Sequence, residues 1–152
     1  LPLKDLDFVA GKFLAALSLV LAGLLVSMVH FITLTQVGTN IDYGAVFTGY
    51  LGLALAGAVY SAVGTFASSL TDNQVVAFII GIFIVLIFFL MDKMLMFVPV
   101  ALTGIIQYLS VDYHLSNISR GVIDSRNLIY FASVVGLFLF MTVRMLEIRR
   151  WK

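Results

Sequence analysis

The side chains in this sequence that are able to do acid–base or metal chemistry are few and stand far apart. Its two histidines are His30, inside a long apolar run, and His114, in the tripeptide Asp112-Tyr113-His114. A histidine in such a run serves a substrate or proton pathway, or it packs near an interface. An Asp–His pair holds a metal ion only with further ligands. We favour an interfacial or helix-packing role for His30 and a polar outer loop for the tripeptide, and we predict no metal site.

Covalent and nucleotide chemistry have equally little support. The chain has no cysteine, which excludes a cysteine nucleophile and thiolate metal ligands. Gly11-Lys12 suggests a phosphate-binding loop, but that loop needs a glycine five residues earlier and Ser or Thr after the lysine. Leu6 and Phe13 occupy those positions, so we interpret Lys12 as a lysine that reaches the lipid headgroups. We expect no catalytic residue, no cofactor and no nucleotide site in this chain.

The composition is that of an integral membrane protein. Of the 152 residues, 62% are hydrophobic and 11% are charged, whereas soluble domains have roughly 45–50% apolar and about 25% charged residues. This high hydrophobicity also excludes a disordered chain. The net charge of +1 provides no field that would attract nucleic acid, so the lipid bilayer is the expected environment.

Long uncharged segments predict membrane-spanning helices, and these helices would hold any site in place. A helix needs about 17–25 apolar residues to cross a bilayer, and these segments are apolar at successive positions instead of alternating as barrel strands do. We predict an all-α, polytopic membrane protein that forms a single transmembrane domain over residues 1–152. The four predicted spans lie at about 9–35, 43–70, 73–97 and 126–147.

The breaks between these segments carry residues that typically begin helices. Thr71-Asp72-Asn73-Gln74 matches a capping box, in which Thr71 accepts a hydrogen bond from the Gln74 amide while the Gln74 side chain reaches back. We therefore predict that the third helix begins there. Asp42 is expected to cap the second helix, and Asp124 or Ser125 the fourth. For the first helix we expect a start at Asp5 or Asp7.

The positive charges predict the orientation. An excess of lysine and arginine marks the cytoplasmic side of a membrane protein. Six of the nine basic residues lie near the two termini, namely Lys4, Lys12, Arg144, Arg149, Arg150 and Lys152. Four spans place both termini on one side, so we expect both to be cytoplasmic and the loops near residues 36–42 and 92–126 to lie outside.

The segment at about 100–123 is the longest one outside the predicted spans. Pro99 separates it from the third span, and its apolar residues recur at helical spacing. We predict a pair of short amphipathic helices that lie in, or dip into, the outer interface. Arg120 and Asp124 are four residues apart and would pair on one face if the helix continued. We assign these two residues to an outer gate.

The second span is rich in small residues, which let helices approach closely in lipid. We expect tight packing within the chain at these positions, and a surface shared with a translocation path is the alternative. The residues chosen are Gly49, Gly52, Ala56, Gly57 and Ser61.

In order and spacing, these pieces resemble a bacterial ABC-2 type permease, close to the gliding-motility-associated and copper-maturation-like permeases. The resemblance covers essentially the whole chain. It rests on Leu1-Pro2 with Asp5, Gly11-Lys12-Phe13, Gly49–Leu53, Ser68–Phe78, Arg120–Asp124 and Arg144–Trp151.

This resemblance implies the C-terminal two-thirds of a six-helix exporter subunit in the bacterial inner membrane, with the four spans here as the third to sixth. It also implies two partners, a second permease subunit and a separate ATP-binding subunit that hydrolyses the ATP. From the capping box we expect the turn Thr71–Gln74 to be the ATPase-coupling turn, with Asp72 and Asn73 projecting toward the ATPase. Two other functions stay open, a structural membrane subunit without transport and an intramembrane enzyme.

Overall fold

A computed structural model describes residues 3–151, and within that range the chain is helical without strands. Leu1-Pro2 and Lys152, which contributed to the resemblance and to the terminal positive charge, lie outside the described residues. A short 3-10 turn, Lys93–Phe97, follows the third of six α-helices. The helices are α1 (Asp5–Val37), α2 (Tyr43–Leu70), α3 (Gln74–Leu90), α4 (Val100–Leu109), α5 (Val111–Ser119) and α6 (Ser125–Arg150).

Three of these helices are long and apolar enough to cross a membrane. They are α1 with 33 residues, α2 with 28 and α6 with 26. Helix α3 is apolar but has only 17 residues, or about 26 Å at a rise of ~1.5 Å per residue, near the lower limit for a span. It ends at Leu90, earlier than expected. The all-helical fold is confirmed, with three helices that are long and apolar enough to span a membrane, and the fourth span stays a prediction.

The helix starts agree with the sequence at two breaks and differ at a third. Asp42 accepts a hydrogen bond from the Ala45 amide, and Asp124 accepts one from the Arg126 amide, so both caps are confirmed. The predicted capping box at the start of α3 is wrong. Asn73 is the capping residue there, and its side chain accepts from the amides of the two residues that follow Gln74.

Thr71 has a different role because it ends α2. Its backbone is extended (φ −150°, ψ 153°), and its hydroxyl oxygen accepts a hydrogen bond from the Asn73 amide. The cap of α3 lies two residues after the predicted one, because the short amide side chain of Asn73 reaches the first free amides of α3 directly. Thr71 therefore orders the turn without capping α3.

Helix α2 is the centre of the bundle and packs against α1, α3, α5 and α6. Its residues Val59, Ala62 and Val63 are completely buried. Phe138 of α6 completes this core from the side, because its ring packs edge-on against Phe88 of α3 at a centroid distance of 5.9 Å. Long apolar side chains on the outer faces of α1 and α3 are exposed, as expected where a helix faces lipid or a partner subunit.

Candidate functional site

Of the pair α4–α5, α5 packs into the helix bundle at the end where α2 and α6 begin, whereas α4 has no buried residue. Val111, His114 and Ile118 share one buried face of α5. This face reaches α2 at Gly52, where a β-carbon would lie 2.8 Å from Leu115 Cδ1 and 3.3 Å from Ile118 Cγ2. Gly52 is about 14 Å along α2 from its first residue, at ~1.5 Å per residue. Because α2 has 28 residues, α5 therefore reaches about one third of the way along the helix that it contacts.

His114 holds this helical pair in place. Its ring is 1% exposed and stacks on Tyr130 of α6, with ring centroids 3.8 Å apart and planes 17° from parallel. His114 Nε2 lies 2.7 Å from the Tyr108 carbonyl oxygen, and Nδ1 lies 2.6 Å from the side-chain amide of Asn127. The carbonyl only accepts, so Nε2 carries a proton and donates to it. The histidine thus joins α4, α5 and α6.

Both protonation states of this histidine satisfy its two contacts. A neutral His114 ring accepts at Nδ1 from the NH2 group of Asn127, whereas a charged ring donates to the Asn127 oxygen. A rotation of the amide exchanges its oxygen and nitrogen, so the same geometry serves both. Tyr130 adds a third bond, since its hydroxyl donates to the Leu109 carbonyl. Two carbonyls at the C-terminal end of α4 are thereby satisfied by side chains.

The tripeptide Asp112-Tyr113-His114 is therefore not the exposed polar loop that the sequence suggested. His114 is buried, whereas Asp112 accepts a hydrogen bond from Lys93 Nζ at 2.9 Å. That hydrogen bond raises the pKa of the Lys93 amine. The position of His114 between Val111 and Ile118 on one helical face was the signal that pointed to burial.

The two residues assigned to an outer gate are separated by a turn. Helix α5 ends at Ser119, and Gly121 adopts the left-handed conformation with φ +89°. Asp124 lies beyond this turn, where it caps α6, and Arg120 is exposed at the end of α5. A pair across one helical face is therefore not formed, because the helix does not continue from Arg120 to Asp124.

At the other end of the bundle, the C-terminal part of α6 is tied to the turn between α2 and α3. The Arg149 guanidinium donates to the Ser69 carbonyl oxygen at 2.9 Å and also to the Asp72 carboxylate. Arg150 pairs with Asp5 of α1 at 3.1 Å. The Asp72 side chain is 92% exposed despite its ion pair. At this end, the turn between α2 and α3 is therefore exposed and is bonded to α6 through Arg149.

The other residues of this turn have separate environments. Asn73 is engaged as the cap of α3, and Thr71 bonds the Asn73 amide. Gln74 is exposed and lines a groove between α2 and α3. Of the four predicted turn residues, Asp72, Asn73 and Gln74 are exposed and Thr71 is half-buried.

The small residues predicted for helix packing in α2 are in close contact with neighbouring helices or buried, with the exception of Gly49. A β-carbon at Gly57 would lie 2.5 Å from Val20 Cγ1 of α1, and Ala56 and Ser61 are buried. At Gly49 an added β-carbon would meet no other atom within 4 Å among the described residues. The contacts of α2 with α1 and α5 thus depend on glycine at Gly52 and Gly57.

The remaining candidates are not brought together. His30 is exposed on α1. Within residues 3–151, no three His, Asp or Glu side chains are grouped so that they could hold a metal ion.

Comparison of the chain with protein-family models, with curated proteins and with solved structures gives no match.

Proposed function

We propose that the chain is a permease subunit of an ATP-binding-cassette exporter of the ABC-2 type, which moves substrate across the bacterial plasma membrane. The observation that carries the proposal is the short helix α5, which follows the exposed helix α4 and packs against α2, α3 and α6 at one end of the bundle. The resemblance implies re-entrant outer helices at this place in the chain. The proposal includes a second permease subunit and a separate ATP-binding subunit as partners.

Energy from ATP hydrolysed elsewhere would reach this chain at the end opposite α4–α5. The arginine contacts of α6 there join three segments, the start of α1, the α2–α3 turn and α6 itself. Exposed ion pairs alone are weak, but Arg149 also bonds the Ser69 carbonyl, near the last turn of α2. A force on the exposed turn would thus be transmitted to α2, α3 and α6 together.

A cysteine at Gln74 tests this proposal most cleanly. Gln74 is exposed, and its replacement leaves the Asn73 cap and the Arg149–Asp72 pair intact. The chain has no other cysteine. In an assembled complex with the ATP-binding subunit, we expect Gln74→Cys to crosslink to a cysteine on that subunit, with a yield that changes when nucleotide binds. Thr39→Cys, in the exposed turn between α1 and α2, is the matched control and should not crosslink.

Three other results would contradict parts of this proposal, and two of them would each favour another function. If no position from 68 to 74 crosslinks in the assembled complex, the turn serves only to start α3. If the chain purifies without an ATP-hydrolysing partner and transports nothing, a structural membrane subunit replaces the permease. A measured chemical turnover by the isolated chain would favour the intramembrane enzyme.

A further inference from the structure

An elongated groove runs between α1 and α6 toward the end where the two chain termini lie. Its apolar part, about 510 Å³, is lined by Val9 and Ala10 on α1 and by Leu139, Phe140 and Val143 on α6. The α6 residues recur every three or four positions over about 12 Å of helix axis, from Leu139 to Glu147 at ~1.5 Å per residue. The groove thus follows the helix axes, which is also the direction of a lipid acyl chain.

The groove continues into a charged pocket at its end. This pocket, about 480 Å³, shares Leu6, Val143 and Glu147 with the apolar part. Its further lining residues include Lys4, Asp5 and Arg150. An apolar channel that opens among charged side chains at the chain ends has the polarity profile of a phospholipid, with acyl chains below and a headgroup above.

The charges at this end match an anionic headgroup. The three cations Lys4, Arg144 and Arg150 face the two carboxylates of Asp5 and Glu147, which leaves one positive charge uncompensated. Arg150 pairs with Asp5 at 3.1 Å and Arg144 with Glu147 at 3.0 Å, both at exposed positions. Lys4 has no carboxylate within 4 Å among the described residues. A phosphodiester with one negative charge would compensate it.

The position of Arg144 supports the same ligand. Its guanidinium carbon lies 5.1 Å from the centroid of the Phe140 ring, one turn deeper in the groove. This stacking holds the cation at the boundary between the apolar and charged parts. Arginine in that place donates several hydrogen bonds to a phosphate group.

We infer that the α1–α6 groove binds one anionic phospholipid, with an acyl chain along Val9, Leu139 and Val143 and its phosphate at Lys4, Arg144 and Arg150. The inference does not depend on the proposed transport function. A protein with this site should prefer phosphatidylglycerol to zwitterionic phosphatidylcholine at the α1–α6 groove.

Trp151 provides the measurement because it is the single tryptophan and follows Arg150 directly. The full chain is reconstituted in vesicles of phosphatidylcholine and phosphatidylglycerol, with one lipid brominated at a time. Bromine quenches tryptophan fluorescence at short range. We expect brominated phosphatidylglycerol to quench Trp151 more strongly than its mole fraction accounts for. Arg144→Gln should reduce this preference about fivefold, since one basic residue near a membrane surface contributes about that factor.

Two matched controls distinguish a site from diffuse attraction. Lys12→Gln removes the same charge from α1, away from this groove, and should leave the preference unchanged. Ala10→Phe fills the apolar part of the groove and should weaken quenching, whereas Ala22→Phe, on an exposed part of α1, should not.

Three results would overturn the inference. The first is equal quenching by the two brominated lipids in the unmodified chain. The second is an equal loss of preference in Arg144→Gln and Lys12→Gln, which would indicate attraction to the whole surface. The third is a disulfide between two copies of Val143→Cys, which would show that a second copy covers the groove.

Discussion

Replacing Gly57 with leucine is expected to destabilise the native bundle strongly. Even a β-carbon at Gly57 would lie 2.5 Å from Val20 Cγ1, a distance that side chains do not tolerate. Val20 is β-branched and has little freedom to move away within a helix. Overpacking of a filled contact costs about 1–3 kcal/mol, and the larger leucine forces α1 away from α2. In detergent micelles, we expect a much lower unfolding midpoint or an aggregated product.

Two further variants show whether the close contact is the cause. Gly64→Leu makes the same change seven residues later on α2, where an added β-carbon meets nothing within 4 Å among the described residues, and it should unfold near the wild-type midpoint. Val20→Ala should restore part of the stability that Gly57→Leu loses, because it removes the clashing methyl groups. A wild-type midpoint for Gly57→Leu would contradict the packing of α1 on α2.

His114→Leu is expected to have the second large effect, on the α4–α5 pair. It leaves the Tyr108 carbonyl and the Asn127 side chain without their hydrogen-bond partner, and Asn127 is 5% exposed. Each buried polar group left unsatisfied costs roughly 1–3 kcal/mol. Since two groups are left unsatisfied, we expect the free energy of unfolding, measured in micelles, to fall by about 2–6 kcal/mol.

The double variant His114→Leu with Asn127→Leu provides the control. It removes the buried amide that the single variant leaves unsatisfied, so it should be more stable than His114→Leu alone. If the single variant is as stable as the unmodified chain, α4–α5 is not held by this histidine. If the double variant loses the sum of both single effects, the two side chains do not interact.

The packing of α2 could be predicted from the sequence because its signals are local. Small residues at helical spacing indicate where two helices approach closely, and the close approaches at Gly52 and Gly57 follow that pattern. The caps at Asp42 and Asp124 were likewise visible, because a cap depends on a few neighbouring residues. The start of α3 was not, since Thr71 and Asn73 are both good caps and the sequence pattern favoured the wrong one.

The contacts that hold the two ends of the bundle could not be predicted, because they join residues that are distant in the sequence. Arg149 and Asp72 are 77 positions apart, and nothing near either residue indicates the other. His114 and Asn127 are separated by a turn whose direction depends on Gly121 in the left-handed conformation. In both cases the partner follows from how the helices pack, which a reading of local patterns does not provide.

The topology of the chain decides whether it can be a permease subunit of the proposed type, since that proposal requires four spans with the Thr71–Gln74 turn in the cytoplasm. A reporter that is active only outside the cytoplasm is fused in turn near Thr39, near Ser110, at Asp72 and at the C-terminal end of the chain. We expect activity at Thr39 and Ser110 and none at Asp72 or at the C-terminal end. Activity at Asp72 would place the proposed coupling turn outside the cytoplasm and contradict the permease proposal.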